Sequence, residues 1–378
     1  MKLSSLQENL KQGLLSVGHV ASKNVNLPIL NNVLIEARGG NIKMTATNLE
    51  MGIVSVVRGR VEEEGSFTVD SKIISDLISL LPNKKVDIKQ KENNLLIESE
   101  NYKTKIIGSG AEEFPLIPSV EKNVCYGVNI QEFKKALGKI IFAVSTSETR
   151  IELTGVLFYF NNNKLVMAAT DSYRLAEKQS NVRAEGKGVQ EAKKIIIPAK
   201  TLQEVTRILS GSREEAGDAN NEEIKIYISE NQIMFCVGST ELVSRLIEGQ
   251  YPDYKQIIPT ASKTRVIINK NELIRAVKMA SLFSRSGINS VNLDFPKNKN
   301  KAVVSSELGQ TGENVAELDA EVSGEDNGVV VNHRYLLDGL NNIEGENVKI
   351  EIIDSNTPCL LKEEKDADYL YVIMPIKQ

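Results

Sequence analysis

The chain has little of what most enzymes and metal sites are built from. Its 378 residues include two histidines, His19 and His333, and three cysteines, Cys125, Cys236 and Cys359. Two histidines are too few for a zinc site of the common kind or for a His-based triad with support around it. The cysteines are odd in number and widely separated, with no CxxC spacing, so reduced, structural thiols in a reducing compartment are expected. No GxxxxGKS/T loop is present. The nearest approach, Gly186-Lys187-Gly188, lacks the upstream glycine that a phosphate cradle needs. No apolar run nears the ~18 residues required to span a bilayer, and the opening MKLSSLQENLKQ has no apolar signal core. The expectation is a cytoplasmic protein with no metal or other cofactor.

The remaining composition is ordinary, with 41% hydrophobic and 25% charged residues. At about 150 residues per domain the length predicts two or three domains. An internal repeat favours three. Amphipathic helices are predicted at LQENLKQGLLSV from Leu6, FKKALGKIIFAV from Phe133 and LIRAVKMASLFS from Leu273. Apolar residues recur in each at helical spacing, as with Phe133, Leu137, Ile140 and Val144. A strand pair follows in every case: NNVLIEARGGNIKMTATN, LTGVLFYFNNNKLVMAATD and SVNLDFPKNKNKAVVSSE, the last with a basic tip. Leu34 matches Leu157 and Thr47 matches Thr170, at one common offset. A second helix begins in FTVDSKIISDLISLLP, IIIPAKTLQEVTRIL and VVVNHRYLLDGLNNI, with Lys72, Lys200 and Arg334 at one equivalent place. Alternating strands close each repeat.

Proline-bearing polar segments, EFPLIPSVEKN and YPDYKQIIPTASK, mark the boundaries. The reading is an α+β protein of three repeated domains, 1–122, 123–255 and 256–378, each with two helices on antiparallel sheet. The acidic stretch from Gly211 reads as a solvated loop.

Charge is unevenly placed. The chain carries −4 overall, which argues against coating nucleic acid by bulk charge. Residues 2–17, 131–145 and 270–285, around the three leading helices, carry +1, +2 and +3. On a helical wheel, Lys135 and Lys139 lie opposite the Phe133 stripe, and Arg275 and Lys278 lie opposite Leu273 and Val277, so these charges are expected to face outward.

Four ordered segments carry a resemblance: LPILNNVLIEA from Leu27, ATDSYRLA from Ala169, EGQYPDYKQIIP from Glu248 and the terminal YVIMPIKQ. They are similar to signature segments of the bacterial DNA polymerase III beta subunit family, the sliding clamps. The match spans the chain. It implies a head-to-tail homodimer closing a ring of six similar domains, with helices lining the hole, where weak phosphate contacts permit sliding on duplex DNA. The DNA-facing residues it implies are Lys11, Lys23, Lys72, Lys134, Lys135, Lys139, Arg150, Lys200, Arg275, Lys278 and Arg334. Asn24 is neutral where relatives are often basic.

The same resemblance implies a pocket for short linear peptides of the replicative polymerase, the ATP-dependent clamp loader, and repair polymerases and mismatch-repair proteins. Its walls would be Leu153, Thr170, Ser172, Tyr173, Arg174, Leu175, Pro252, Ile257, Pro358, Val372, Ile373, Met374, Pro375 and Ile376. Ser172-Tyr173 stands where Gly-His is common, and Gln256 where arginine is frequent. Met374-Pro375-Ile376 is expected beside Leu175 and Leu153, with Pro375 holding an apolar edge open without pairing onto another strand. Leu282 is an apolar residue on the polar side of its helix, and the resemblance implies that it and Phe283 meet the strand with Thr104 and Ile106 of a second copy.

A different reading takes Asp171 and Arg174 as the acid and cation of a DNA-modifying or sugar-phosphate enzyme. It lacks a metal cluster, a phosphate loop and a nucleophile–base pair. A simpler alternative has Asp171 and Arg174 satisfying the backbone or each other at a strand end.

Overall fold

The computed structural model describes residues 1–378 except 22–25, 187–191, 212–222, 285–286, 298, 307–311, 365 and 378. Among the described residues there are six α-helices: α1 (Gln7–Gly18), α2 (Ser71–Leu80), α3 (Ile130–Gly138), α4 (Ala199–Gly211), α5 (Lys270–Ser281) and α6 (His333–Asn342). Two fall in each repeat, as the spacing predicts. In α5 the buried Leu273, Ala276, Val277 and Ala280 form one stripe, and the Asn269 side chain accepts the amides of Asn271 and Glu272 at its start. Asp70 and Asn332 cap α2 and α6 in the same way. Lys72, Lys200 and Arg334 are each the second residue of their helix, and all three are exposed.

One helix is shorter than the apolar spacing suggests. α3 ends at Gly138, and Ile141–Ala143 forms a separate 3-10 turn. Glycine is a poor helix former, and the chain turns there before the apolar run is finished.

The strands gather into two compact units, and each draws on the middle repeat. The first unit holds a five-stranded sheet, in the order Arg60–Glu63, Lys2–Leu6, Lys85–Lys91, Asn94–Ser99, Tyr102–Ile107, and a nine-stranded sheet. In the latter, Thr240–Arg245 of the middle repeat pairs antiparallel with Met51–Val57 of the first. α1 packs against this sheet so closely that a Cβ on Gly13 would collide with the Val57 side chain.

The second unit holds a twelve-stranded sheet with α5 and α6. There Tyr369–Ile373 of the third repeat pairs antiparallel with Arg174–Asn181 of the middle one. Met51–Val57 and Arg174–Asn181 occupy the same place in their repeats, so the chain makes one kind of strand joint twice.

The repeat extends to single hydrogen bonds. Before the first joint strand, the Thr47 hydroxyl donates to the Met51 carbonyl and accepts the Leu49 amide, while Asn48 Oδ1 accepts the amides of Glu50 and Met51. Before the second, Thr170 donates to the Arg174 carbonyl and accepts the Ser172 amide, while Asp171 Oδ1 accepts those of Tyr173 and Arg174. Both turns force a non-glycine residue into the left-handed region: Leu49 at φ 75° and Ser172 at φ 78°. Such a residue costs ~1–2 kcal/mol, most for a β-branched side chain. Ser172→Val is therefore expected to lower unfolding stability by ~1–2 kcal/mol and Ser172→Gly to leave it level or raised. Urea titration of both variants measures this; equal losses would show that the left-handed turn carries no strain.

Candidate functional site

The strand Arg174–Asn181 lies between Lys164–Thr170 and Tyr369–Ile373, with Leu175 opposite Val372 and Arg174 opposite Ile373. Alternation sends these pairs to opposite faces. Leu175 and Val372 join Leu157, Ala168, Ile196 and Leu360 in a buried cluster, with Tyr254 packed on it and Tyr251, Ile257 and Ile258 partly buried around it. The segment after Ile247 thus roofs the sheet. Its tyrosines are tied down by polar atoms: the Tyr251 hydroxyl accepts the Thr170 amide at 3.1 Å and donates to the Ala168 carbonyl at 3.3 Å, and the Tyr254 hydroxyl donates to Glu177. Burial, and for Tyr254 also the Glu177 charge, pushes both phenols well above their ordinary pKa, so they stay neutral donors.

On the other face Arg174 is fully engaged. Nε donates to Asp171 at 3.0 Å, one terminal nitrogen to Asp338 and the other to the Phe142 carbonyl at 2.9 Å. The guanidinium lies 4.7 Å from the Tyr335 ring and 5.5 Å from that of Phe142. Burial lowers its pKa, but the surrounding phenol and carboxylates raise it by more, so the cation is secure. Asp171 is equally occupied, with one oxygen on two amides and the other on Arg174. The pair locks a strand end and holds no acid or base poised for catalysis.

Tyr173 projects from this turn at 62% exposure, and its ring stacks on Tyr335 at 6.4 Å and 17°. Its carbonyl accepts the Met374 amide at 2.8 Å, and two residues on the Ile376 amide reaches the Val330 carbonyl. The tail therefore pairs on both sides of Pro375, contrary to the expected unpaired edge. Proline interrupts the donors only at the residue where the tail changes partner.

Of the residues implied for a peptide pocket, Thr170, Leu175, Pro252, Ile257 and Val372 lie in this cluster or along its roof, with Ser172 and Tyr173 on the adjoining turn and Met374 of the tail bonded to Tyr173. Leu153, buried, and Pro358, half-buried, are not members of the cluster. Arg174 and Ile373 face the opposite side, as strand alternation requires. Pro375 and Ile376 are half-buried. Asp338, Tyr335 and Phe142, which hold Arg174, carry no sequence signal; only the tertiary fold brings them to it. Gln256 is exposed and bonds Asp253 at 3.0 Å.

The basic residues divide. Lys72, Lys135, Lys200, Arg275, Lys278 and Arg334 are exposed, and Lys11 and Lys134 half-exposed. Lys23, like Asn24, lies outside the described residues. Lys139 corrects the wheel: it is 3% exposed, with Nζ on Glu363 at 2.6 Å and Asp366 at 3.0 Å and on the Tyr369 ring face at 5.0 Å. Residue 139 follows the end of α3, where 100° per residue no longer gives direction. Arg150 lies before the Ile151–Thr154 3-10 turn, on the approach to the second strand pair. It pairs with Glu152 at 3.0 Å and touches Ser172 Oγ at 3.4 Å, beside the Thr170–Arg174 turn. At the expected subunit contact, Leu282 is 76% exposed, Phe283 and Thr104 are half-buried, and Ile106 is buried.

No group of three potential metal-binding side chains occurs among the described residues, and no described helix is long and apolar enough to cross a membrane. All three cysteines are free thiols; burial pushes Cys236 up to about 11 and Cys359 to about 12.

Family models of the DNA polymerase III beta subunit match consecutive stretches: the N-terminal domain over residues 1–118, the central domain over 127–253 and the C-terminal domain over 255–377. The chain belongs to the DNA polymerase III beta subunit family, the sliding clamps. It is 31% identical over 366 residues to the beta sliding clamps of Staphylococcus epidermidis and Staphylococcus aureus, covering 94% of each chain. Among solved structures it is similar to the DNA polymerase sliding clamp of Bacillus subtilis (28% identity, TM-score 0.91, 100% of this chain and 99% of that one). It is also similar to the DNA polymerase III subunit beta of Pseudomonas aeruginosa (26%, TM-score 0.92, all of both chains). The fold is the three-domain α+β clamp, and a clamp is a non-catalytic processivity factor that works with DNA and a polymerase. The enzyme reading of Asp171 and Arg174 has no support.

The buried Lys139 cluster is testable apart from function. Burial would raise the Asp366 carboxyl, but hydrogen bonds from Lys178 and Lys139 outweigh it and hold it below its ordinary value. Stability from this group is present above the ordinary aspartate range and lost as pH falls through the depressed value. Lys139→Ala is expected to cost ~3–5 kcal/mol. Asp366→Asn should lose less stability than the parent between neutral and acid pH. Denaturation across pH reads both effects, and a Lys139→Ala protein as stable as the parent would show the ion pairs to be idle.

Proposed function

We propose that two copies of this clamp close head to tail into a ring around duplex DNA in the cytoplasm. On that ring the Leu175–Val372 surface receives linear peptides from the replicative polymerase, the ATP-dependent clamp loader and repair proteins. Domains 1–122, 123–255 and 256–378 are its repeating parts. The observation that carries the reading is the strand joint made twice within the chain, because the repeat leaves one further half-joint at each end. Tyr102–Ile107, the counterpart of Thr240–Arg245 and Tyr369–Ile373, is an edge strand of its sheet among the described residues. Residues 315–319, the counterpart of Met51–Val57, pair among the described residues with Lys301–Ser305 alone and expose Val315 at 60%, where the equivalent strands are mostly buried; residues 320–324 continue onto Thr264–Asn269. A second copy supplies the missing half at both ends, and an isologous pairing of like edges would not extend the repeat.

The outward-facing cations on α5, Arg275 and Lys278, suit mobile phosphate contacts, and the chain's net negative charge discourages DNA from binding elsewhere. Apolar walls with a few fixed polar groups suit short peptides, and the Tyr173–Tyr335 pair offers a flat rim.

Topology decides the first half of the proposal. Loaded by its loader onto a nicked circular plasmid, the protein should stay bound through a high-salt wash and run off when the circle is cut. Equal retention on both forms would mean ordinary groove binding. The second half is tested with a fluorescent peptide from the C-terminus of the cognate polymerase. Deleting residues 374–378 should weaken it at least ~10-fold, as expected when anchors worth ~1–3 kcal/mol are lost, with ring closure retained. Fluorescence polarisation alongside a melting curve reads the effect; full affinity in the folded truncation would place the peptide elsewhere.

A further inference from the structure

The leading helices α1 and α3 start at matching places, Gln7 and Ile130, so Gln12 stands where Lys135 stands and Ser16 where Lys139 stands. The shorter side chains leave a gap. At the second joint, where the middle and third repeats meet, Lys135 reaches Glu344, and Lys139 reaches Glu363 and Asp366, so two long side chains fill the space. At the first joint the Ser16 hydroxyl turns back to the Gln12 carbonyl of its own helix at 2.9 Å, and Arg207 of α4 crosses instead. Arg207 donates to the Leu15 and Ser16 carbonyls, both at 2.7 Å, and to Glu204. A cavity of about 460 Å³ remains between α1, α4 and the chain after α2.

The walls carry two kinds of chemistry. Leu15, Leu81 and Ile208 supply apolar surface, and Leu15 is left 54% exposed. Lys11, one turn before Leu15, lines the same cavity. Glu8, a turn earlier again, has a polar partner of its own, and Glu204, which balances Arg207, also bonds His19 at 2.8 Å. Among the described lining residues, Lys11 is therefore the cation left without a counter-charge.

We propose that this cavity binds a small amphipathic anion, an aromatic or branched aliphatic body that carries a carboxylate or sulfonate. The body covers Leu15, Leu81 and Ile208, and the acid head meets the Lys11 ammonium. The volume falls within the ~300–1,000 Å³ of pockets that take drug-sized ligands, which pair apolar walls with a few placed polar groups. A phosphate of duplex DNA offers Lys11 the same charge but no apolar body, and leaves the cavity unfilled. The bound molecule touches α1 of the first repeat and α4 of the middle one, so it braces the first joint as Lys135 and Lys139 brace the second. The site stands independently of the ring proposed above.

Anilinonaphthalene sulfonate, an aromatic anion whose fluorescence rises in apolar surroundings, is the probe, titrated into the full chain. Methyl NMR on δ1-labelled isoleucine locates it: the Ile208 signal should shift and that of Ile257, on the Leu175–Val372 surface, should not. Lys11→Gln should weaken binding about 5-fold, as for loss of one partly exposed ion pair. Ser16→Met, which puts neutral bulk where the second joint has Lys139, should weaken it at least ~10-fold. The probe should raise the melting temperature of the parent and leave that of Ser16→Met unchanged. Uncharged phenylnaphthylamine should bind the parent no more tightly than the sulfonate binds Lys11→Gln. Shifts confined to Ile257, or one affinity across the parent and both variants, overturn the site. So does a duplex oligonucleotide that moves Ile208 where the probe does not, since Lys11 is then a DNA phosphate contact beside empty space.

Discussion

A strand edge inside a folded protein has to be paired. The backbone groups along it cost free energy when buried without partners, and left exposed they invite association with any other edge. Each clamp repeat is too small to close its own sheets, so it borrows a strand from the next repeat, Thr240–Arg245 against Met51–Val57 and Tyr369–Ile373 against Arg174–Asn181. This sharing draws the compact units across the sequence repeats and puts strands of the middle repeat into both. Under the proposed ring it also leaves two half-joints over, Tyr102–Ile107 and residues 315–319.

The joint also shapes the surface proposed to receive partner peptides. Where Arg174–Asn181 meets Tyr369–Ile373, strand alternation gives one face to Leu175 and Val372 and the other to Arg174. Arg174 pins the strand end to Asp338 and to the Phe142 carbonyl, and the same turn, held by Thr170 and Asp171, presents Tyr173 with both its amide and its carbonyl already bonded. A rim held by backbone bonds loses little freedom when a ligand arrives, which is the condition for useful affinity from a small contact. The residues that would look catalytic in isolation, an aspartate and an arginine three apart, turn out to be the scaffold of that rim.

The repeat was legible because burial imposes periodicity: the six helices occur in the segments where apolar spacing places them, although α3 stops short at Gly138, and Lys72, Lys200 and Arg334 fall at one helical position. The errors share a cause. Lys139 was assigned a direction from a helix that ends one residue earlier, and its charge goes inward because Glu363 and Asp366, more than two hundred residues away, are there to meet it. Pro375 suggested an unpaired tail, yet its neighbours Met374 and Ile376 carry the amides that pair.

By itself, then, the sequence determined the class of domain, its threefold repetition, the faces of the regular helices and the family to which the chain belongs. All of these rest on local periodicity or on residues close together along the chain. Tertiary structure alone decided which strands are shared between repeats, which cations are buried, and which distant side chains hold Arg174 and the tail. The physical reason is that pairing an edge and neutralising a buried charge are satisfied by whatever partner the fold delivers, and that partner leaves no mark in the residues beside it.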